Sequence, residues 1–165
     1  MTVRVAVIGC GRVAKHYRSI LADASLRDVK VVGVADPDPA KRDEFAKHFG
    51  AVASPSVGEC IEASRPDLVV IATPSGLHAE HTRTALEARC HVLVEKPAAM
   101  VPAEPVALVN AARRSLSLPV RARTVSNTWA SALPVTCQCT RWLANSQNWL
   151  KMKLRGSLRI SLHAS

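Results

Sequence analysis

An α/β fold is predicted, with a doubly wound parallel sheet followed by an irregular basic C-terminal segment. Three observations carry this prediction. Short apolar runs read as strands buried on both faces, helical patterns alternate with these runs, and a glycine-rich turn follows the first run at once. Alternating buried strands and helices are typical of parallel sheets whose two faces are covered by helices.

The first strand and the turn after it indicate a dinucleotide site. Residues 3–8, VRVAVI, form a valine-rich run, and the following GCGRVA matches G-x-G-x-x-G/A with Gly9, Gly11 and Ala14. In this pattern the first glycine permits a tight turn and the second lets a pyrophosphate approach the backbone. The small third residue lets the helix pack closely on the strand.

A helix is predicted directly after this turn, over residues 12–23. Its first residues, Arg12 and Val13, place their amides at the positive end of the helix dipole, where phosphates bind. Cys10, inside the turn, is most simply a small packing residue; a redox role is the alternative.

The acid after the second strand, residues 29–35, indicates which dinucleotide is bound. Asp36 lies 22 residues past Ala14, near the spacing expected of the acid that binds the adenosine ribose. A carboxylate there accepts hydrogen bonds from both ribose hydroxyls and repels a 2′-phosphate, so NAD is favoured over NADP. Lys41 and Arg42 follow closely and would soften that preference. A helix cap or turn role within DPDPA is the alternative for Asp36.

The remaining elements extend the alternation and predict a sheet of the Rossmann kind. A helix that stops at Gly50, a short strand and a short helix come first. A strand, a helix with Ser75 as a plausible cap and a fifth strand follow. The predicted ranges are helix 39–48, strand 68–72, a helix within 75–90, strand 91–95, a helix within 102–115 and a sixth strand within 118–125.

Several motifs in this series resemble the Gfo/Idh/MocA oxidoreductase family, named for glucose-fructose oxidoreductase, inositol dehydrogenase and a rhizopine-catabolism protein. The motifs are VIGCGRVAKH, VADPDPAKRDEFA and DLVVIATPSGLHAEHTRTALEARCHVLVEKP, with the spacings between them. The third resembles the family's strand ending in T-P-x-x-x-H, its next helix, and a strand ending in E-K-P. The resemblance covers residues 1 to about 100, and we place an NAD(P)-binding domain at residues 1–124.

The resemblance implies an NAD(P)-dependent oxidoreductase that moves a hydride between nicotinamide and a hydroxyl-bearing carbon of a sugar, nucleotide sugar or cyclitol. Thr73 and Pro74 would line the nicotinamide side of the cleft. His78 would lie near the cofactor or at the mouth of the substrate cleft. The cofactor candidates from motif and resemblance together are Gly9, Gly11, Arg12, Val13, Ala14, Asp36, Thr73, Pro74, His78, Glu95 and Lys96.

Lys96 is the candidate catalytic residue. Hydride transfer from an alcohol needs a group that takes the hydroxyl proton, and a lysine amine at the end of the fifth strand would serve. In such proteins the peptide before Pro97 is often cis, which would fix the turn that aims Lys96. A solvated strand end is the alternative. His78 and His81 offer two metal ligands but no evident third, so no metal is expected.

The charge is distributed unevenly along the chain. Up to Glu104, 13 basic residues balance 13 acids, and the other nine of the 22 basic residues follow, without any further acid, to give the net charge of +9. The five scattered cysteines are not a disulfide framework, no apolar run is long enough to span a membrane, and no signal peptide pattern is present. We therefore expect a cytoplasmic protein.

The basic segment, residues 125–165, is predicted not to be a folded domain. It contains all three tryptophans and matches nothing in the family. A frameshift or mispredicted gene is the favoured explanation, and a basic tail for nucleic acid or anionic membrane, or simple divergence, are the alternatives. The resemblance implies a second domain that supplies an acid and a histidine. Without it, the chain would be a dinucleotide-binding fragment that does not turn over.

Overall fold

The computed structural model describes residues 2–101, 103–116 and 135–137. Its six strands form one parallel sheet in the order β3-β2-β1-β4-β5-β6. The strands are β1 (Val3–Ile8), β2 (Val29–Ala35), β3 (Val52–Ser54), β4 (Leu68–Ile71), β5 (His91–Val94) and β6 (Val135–Cys137). The helices are α1 (Arg12–Leu21), α2 (Pro39–Phe49), α3 (Val57–Ser64), α4 (His78–Glu87) and α5 (Glu104–Leu116), and a 3₁₀ turn (Ser75–Leu77) precedes α4.

This architecture confirms the predicted doubly wound parallel sheet. The helix α1 is two residues shorter than predicted, because the Ala22 amide already bonds back to the carbonyls of Arg18 and Ile20 and closes the last turn. The predicted sixth strand, within residues 118–125, lies outside the described residues. So does the boundary at residue 124, and the three residues of β6 pair with β5 instead.

Two apolar clusters, one on each face of the sheet, explain why the strands read as continuous apolar runs. The last four residues of β1 and all four of β4 are buried. On one face α1 and α2 pack their buried side chains, including Tyr17 and Phe45, against the sheet. On the other face α3, α4 and α5 do the same through residues such as Cys60 and Leu86.

The order of the strands creates a crevice between β1 and β4. The chain runs from β1 outward to β2 and β3, then crosses to β4 on the other side of β1. In open α/β sheets, ligands bind outside the carboxyl ends of the strands at such a reversal. The glycine turn after β1 and the T-P motif after β4 meet at this point, since the Ala72 amide donates to the Ile8 carbonyl over 2.8 Å.

The caps of α2 set the geometry of the loop that follows β2. The Asp38 side chain accepts hydrogen bonds from the amides of Ala40 and Lys41, with Pro39 as the first helical residue. The helix stops at Gly50, which has a φ of 63° in the left-handed region, as predicted. No helix in the described part of the chain is long and apolar enough to cross a bilayer.

Candidate functional site

A cleft of about 470 Å³ lies at the carboxyl ends of β1, β2 and β4. Five of the predicted cofactor residues line it, and they come from three different loops. Pro55, Ser56 and Val57 close its far end, beside Asp36. The predicted residues in its wall are Gly9, Gly11, Asp36, Thr73 and Pro74.

The two glycines of the turn leave room for different things. Gly9 has a φ of +89°, and a Cβ added there would lie 2.8 Å from the Ala72 carbonyl carbon and oxygen and 2.9 Å from the Thr73 nitrogen. A Cβ on Gly11 would meet no atom within 4 Å. Gly9 therefore permits close contact of the turn with the residues that follow β4, whereas Gly11 borders the open space of the cleft.

The first turn of α1 is open to a ligand. Gly11 is its N-cap residue and provides no side-chain acceptor for the first amides. Arg12 and Val13 are exposed at this end, and Ala14 is fully buried beneath them, as the motif requires. Arg12 also lines a smaller adjoining pocket of about 230 Å³ with three further basic residues, Lys15, Arg18 and Lys41.

The Asp36 carboxylate is fixed by two backbone amides. Its Oδ2 accepts from the Cys10 amide over 2.7 Å, and its Oδ1 accepts from the Asp38 amide over 2.8 Å. These bonds join the end of β2 to the glycine turn, so the turn role considered for Asp36 is present in the structure. Each carboxylate oxygen has a further lone pair for a ligand hydroxyl.

The Cys10 thiol is buried beneath this turn. Burial first, and then the negative charge of Asp36, raise the pKa of Cys10 to about 12. Burial likewise raises the pKa of Cys60 and Cys90 to about 11. Because the thiolate is the nucleophile, this environment favours the packing interpretation of Cys10 over a redox role.

We expect the folded chain to protect these three thiols. At pH 8.5 iodoacetamide should modify Cys10, Cys60 and Cys90 far more slowly than in urea, as followed by mass spectrometry of peptides. The unfolded thiols ionise around the ordinary value of 9.0 while the folded ones keep their protons. Stability should therefore fall as the pH rises from about 9 towards 12. Native Cys10 that reacts as fast as the unfolded thiol would contradict this environment.

Two histidines of α4 contact Thr73, His81 at its hydroxyl and His78 at its carbonyl oxygen. The Thr73 hydroxyl lies 3.2 Å from Nδ1 of His81, which is half-buried and lines the cleft. Burial lowers the pKa of His81. The sequence indicated His81 only as a possible metal ligand and did not place it at the cleft. The spacing of four residues between Leu77 and His81 could have indicated that both line the cleft, since residues four apart lie on one face of a helix.

His78 lies behind Thr73 rather than in the wall of the cleft. Its side chain is 1% exposed, and both ring nitrogens face backbone carbonyls. Nε2 is 2.8 Å from the Thr73 oxygen, and Nδ1 is 2.7 Å from the Pro97 oxygen. With both nitrogens engaged, His78 has no free position for a metal. The described residues contain no group of three possible ligands either.

Glu95 is buried and bonded to a residue that the sequence did not single out. The Tyr17 hydroxyl, on α1, donates to Glu95 Oε1 over 2.5 Å. Both side chains are largely buried, at 2% and 9% exposure. Burial and the adjacent Glu95 carboxylate raise the pKa of Tyr17. This bond connects α1 to the end of β5.

Removing only the Tyr17 hydroxyl should destabilise the protein. Tyr17→Phe leaves the buried Glu95 carboxylate without its donor, which costs about 1–3 kcal/mol of unfolding free energy. Urea denaturation followed by circular dichroism measures this loss. The double variant Tyr17→Phe/Glu95→Met removes both polar groups and should recover part of the loss. A single variant as stable as the wild type would show that the bond is not formed in solution.

Lys96 lies at the same edge of the sheet as the cleft. The Glu95 amide donates to the Ile71 carbonyl over 3.0 Å, which fixes the end of β5 beside the end of β4. The Lys96–Pro97 peptide is cis, as the resemblance implied. Lys96 is half-buried, no described residue forms an ion pair or hydrogen bond with its ammonium, and it does not line the 470 Å³ cleft.

Comparison with known proteins shows which family shares this arrangement of residues. A family model described as an oxidoreductase family with an NAD-binding Rossmann fold matches residues 3–119. A dTDP-3,4-didehydro-2,6-dideoxy-alpha-D-glucose 3-reductase from Saccharopolyspora spinosa is 38% identical over 112 residues, which are 68% of this chain and 33% of the relative.

Two solved structures share the fold. A WlbA dehydrogenase from Chromobacterium violaceum, in complex with NADH and UDP-GlcNAcA, gives a TM-score of 0.66 at 30% identity over 70% of this chain and 33% of that chain. A 3-ketoreductase from Actinomadura kijaniata, in complex with NADP and TDP-benzene, gives a TM-score of 0.63 at 29% identity over 70% of this chain and 35% of that chain.

The chain spans about a third of the length of the relatives that it matches. The matched part includes the glycine turn, Asp36, the T-P-x-x-x-H motif and the E-K-P motif. By this match and by its fold, the chain belongs to the Gfo/Idh/MocA oxidoreductase family, with its NAD-binding Rossmann domain in residues 3–119.

Proposed function

We propose that residues 1–124 bind NAD in the 470 Å³ cleft, and that the protein is a dehydrogenase acting on a hydroxyl of a sugar, nucleotide sugar or cyclitol. One observation carries the proposal. A fixed carboxylate, Asp36, and an open glycine face at the start of a helix line one cleft at the reversal of the sheet.

The proposed pose places each part of the dinucleotide against matching chemistry. The adenosine ribose hydroxyls donate to Asp36, and the pyrophosphate accepts from the first amides of α1, at Arg12 and Val13. Thr73 and Pro74 would hold the nicotinamide half. The negative charge of Asp36 disfavours the 2′-phosphate of NADP.

Lys96 is proposed to handle the substrate proton. A bound nicotinamide would supply the hydride acceptor for the substrate carbon, and the Lys96 amine would take the hydroxyl proton. No described residue forms an ion pair with the Lys96 nitrogen, so no acid holds it in the charged form and its amine form can take that proton. The names of the relatives support the substrate class, since one is a dTDP-sugar reductase and another is complexed with UDP-GlcNAcA.

A second candidate is a dinucleotide-binding protein without turnover. No Asp or Glu follows Glu104 in the printed sequence, whereas the resemblance implies an acid that works beside Lys96. The open cleft and Asp36 would serve binding equally well in this case.

We further propose a cytoplasmic location, because the described cysteines are all free thiols.

Two measurements on the full chain separate these functions. NADH is titrated against the purified protein by fluorescence, with NADPH in parallel, and turnover is assayed with NAD over a panel of sugars, nucleotide sugars and cyclitols. Saturable NADH binding with turnover supports the dehydrogenase, and binding without turnover supports the second candidate. Absence of NADH binding would overturn both.

A further inference from the structure

One nitrogen of His81 is a polar atom at the cleft that no described residue binds. The polar or charged side chains in the cleft wall are Asp36, Lys41, Ser56, Thr73 and His81. The first four already have partners within the protein, which are backbone amides, side-chain carboxylates or the His81 ring. The His81 ring is half-buried, and its Nδ1 lies 3.2 Å from the Thr73 hydroxyl oxygen. Its Nε2 forms no hydrogen bond within the described part of the chain, so it remains for a ligand.

The pair of Thr73 and His81 offers a ligand one donor and one acceptor, whichever ring nitrogen carries the proton. If the hydroxyl donates to Nδ1, the proton of the neutral ring is on Nε2, and the threonine oxygen keeps a lone pair. If Nδ1 donates instead, Nε2 becomes the acceptor and the hydroxyl proton is free to donate. Burial lowers the pKa of His81, which favours the neutral ring that this pairing needs.

We propose that Thr73 and His81 together hold an amide-like edge of the bound dinucleotide, with Nε2 of His81 as the direct contact. This inference rests on the proposed function, because it assigns a further binding residue to the same cleft. Two groups of NAD carry a donor beside an acceptor, the nicotinamide carboxamide and the amino edge of adenine. Either group matches the pair, so the chemistry is shared and the position along the cofactor is left to the test.

The side chain one helical turn before His81 supports a planar ligand at this place. Leu77 also lines the cleft, and it is 41% exposed although it is large and apolar. An aromatic ring bound against Leu77 would cover this apolar surface and remove water from Nε2. A hydrogen bond shielded in this way is costly to lose, because water no longer replaces the missing partner.

Two substitutions separate the roles of the two ring nitrogens. Asparagine places its amide near the position of Nδ1, so His81→Asn keeps a partner for Thr73 but removes the contact at Nε2. Glutamine is one bond longer and places its amide near the position of Nε2, where it can donate or accept. His81→Gln should therefore bind NADH within about threefold of the wild type, whereas His81→Asn should bind about tenfold more weakly.

Both variants are made in the full chain and titrated with NADH by fluorescence, after urea denaturation has shown that each is folded. His48→Asn, at an exposed position in the last turn of α2, is the control and should leave the affinity unchanged. An unaltered affinity in His81→Asn overturns the proposal, and so does an equal loss in His81→Gln, because a merely structural role does not distinguish the two amides.

The unaltered chain provides a second measurement, which does not depend on the folding of His81→Asn. Nitrogen-15 NMR of the histidine rings should show the Nε2 signal of His81 moving when NADH is added, while the signals of His48 stay in place. The His81 signals are assigned by their loss in His81→Gln. A His81 signal that does not move when the wild type is saturated with NADH overturns the contact.

ADP-ribose shows which group of the cofactor is held, because it contains the adenine half of NAD and lacks the nicotinamide. If His81→Asn weakens ADP-ribose and NADH by the same factor, the contact is to adenine, and a loss for NADH alone assigns it to the carboxamide. A wild-type chain that binds neither ligand overturns the proposed function. A wild type that binds NADH, with His81→Asn equal to it, overturns this inference alone.

Discussion

Gly9→Ala is expected to remove about 2–5 kcal/mol of unfolding free energy and to abolish NADH binding. The left-handed backbone costs an alanine about 1–2 kcal/mol. The new Cβ would also lie 2.8 Å from the Ala72 carbonyl group and 2.9 Å from the Thr73 nitrogen, and all of these are backbone atoms. Forced overpacking of this kind costs roughly 1–3 kcal/mol. Total stabilities of single domains are about 5–15 kcal/mol, so the loss is severe.

Gly50→Ala is the matched control for this substitution. Gly50 has a φ of +63°, also in the left-handed region, but a Cβ there meets no atom within 4 Å. Urea denaturation should show a loss of about 1–2 kcal/mol, from the backbone term alone, and NADH binding should persist. If both variants lose equal stability, the contact of Gly9 with β4 contributes nothing, and the fit between the turn and β4 does not depend on that glycine.

The fold could be predicted from the sequence because the patterns that indicate it involve residues close together along the chain. A strand such as β4, buried on both faces, appears as an unbroken apolar run, and the left-handed stop of α2 appears as a glycine at position 50. The turn after β1 has a pattern in which every fixed position has a separate steric reason. These features depend on near neighbours along the chain, so no tertiary information was needed to place them.

The hydrogen bonds within the site could not be predicted from the sequence, because the residues that they join are distant along the chain. Tyr17 and Glu95 are 78 residues apart, and nothing near Tyr17 distinguishes it from an ordinary apolar position of α1. His78 was recognised by its motif, yet the carbonyls that its ring contacts belong to two different loops. Which way such a side chain points is decided by packing, not by spacing.

The choice between NADH and NADPH is expected to depend strongly on Asp36, because several cations lie near its carboxylate. Asp36→Ala removes the proposed acceptor for both ribose hydroxyls, and hydrogen bonds to a charged group contribute about 1.5–3 kcal/mol each. Loss of both bonds should raise the dissociation constant for NADH at least about 100-fold. NADPH should lose much less, since the repulsion of its 2′-phosphate disappears while Arg12, Lys15 and Lys41 remain close to the turn.

The difficulty with Asp36→Ala is that Asp36 also holds the loop, through the amides of Cys10 and Asp38. Asp38→Ala addresses this, because it removes the cap of α2 and the ion pair with Lys41, whereas Asp38 itself does not line the cleft. That variant should lose about 1 kcal/mol of stability and keep its NADH affinity within about threefold. If NADH and NADPH weaken equally in Asp36→Ala, loop disorder explains the effect. A shift of more than tenfold towards NADPH identifies charge at Asp36 as the determinant, because disorder would weaken both cofactors alike.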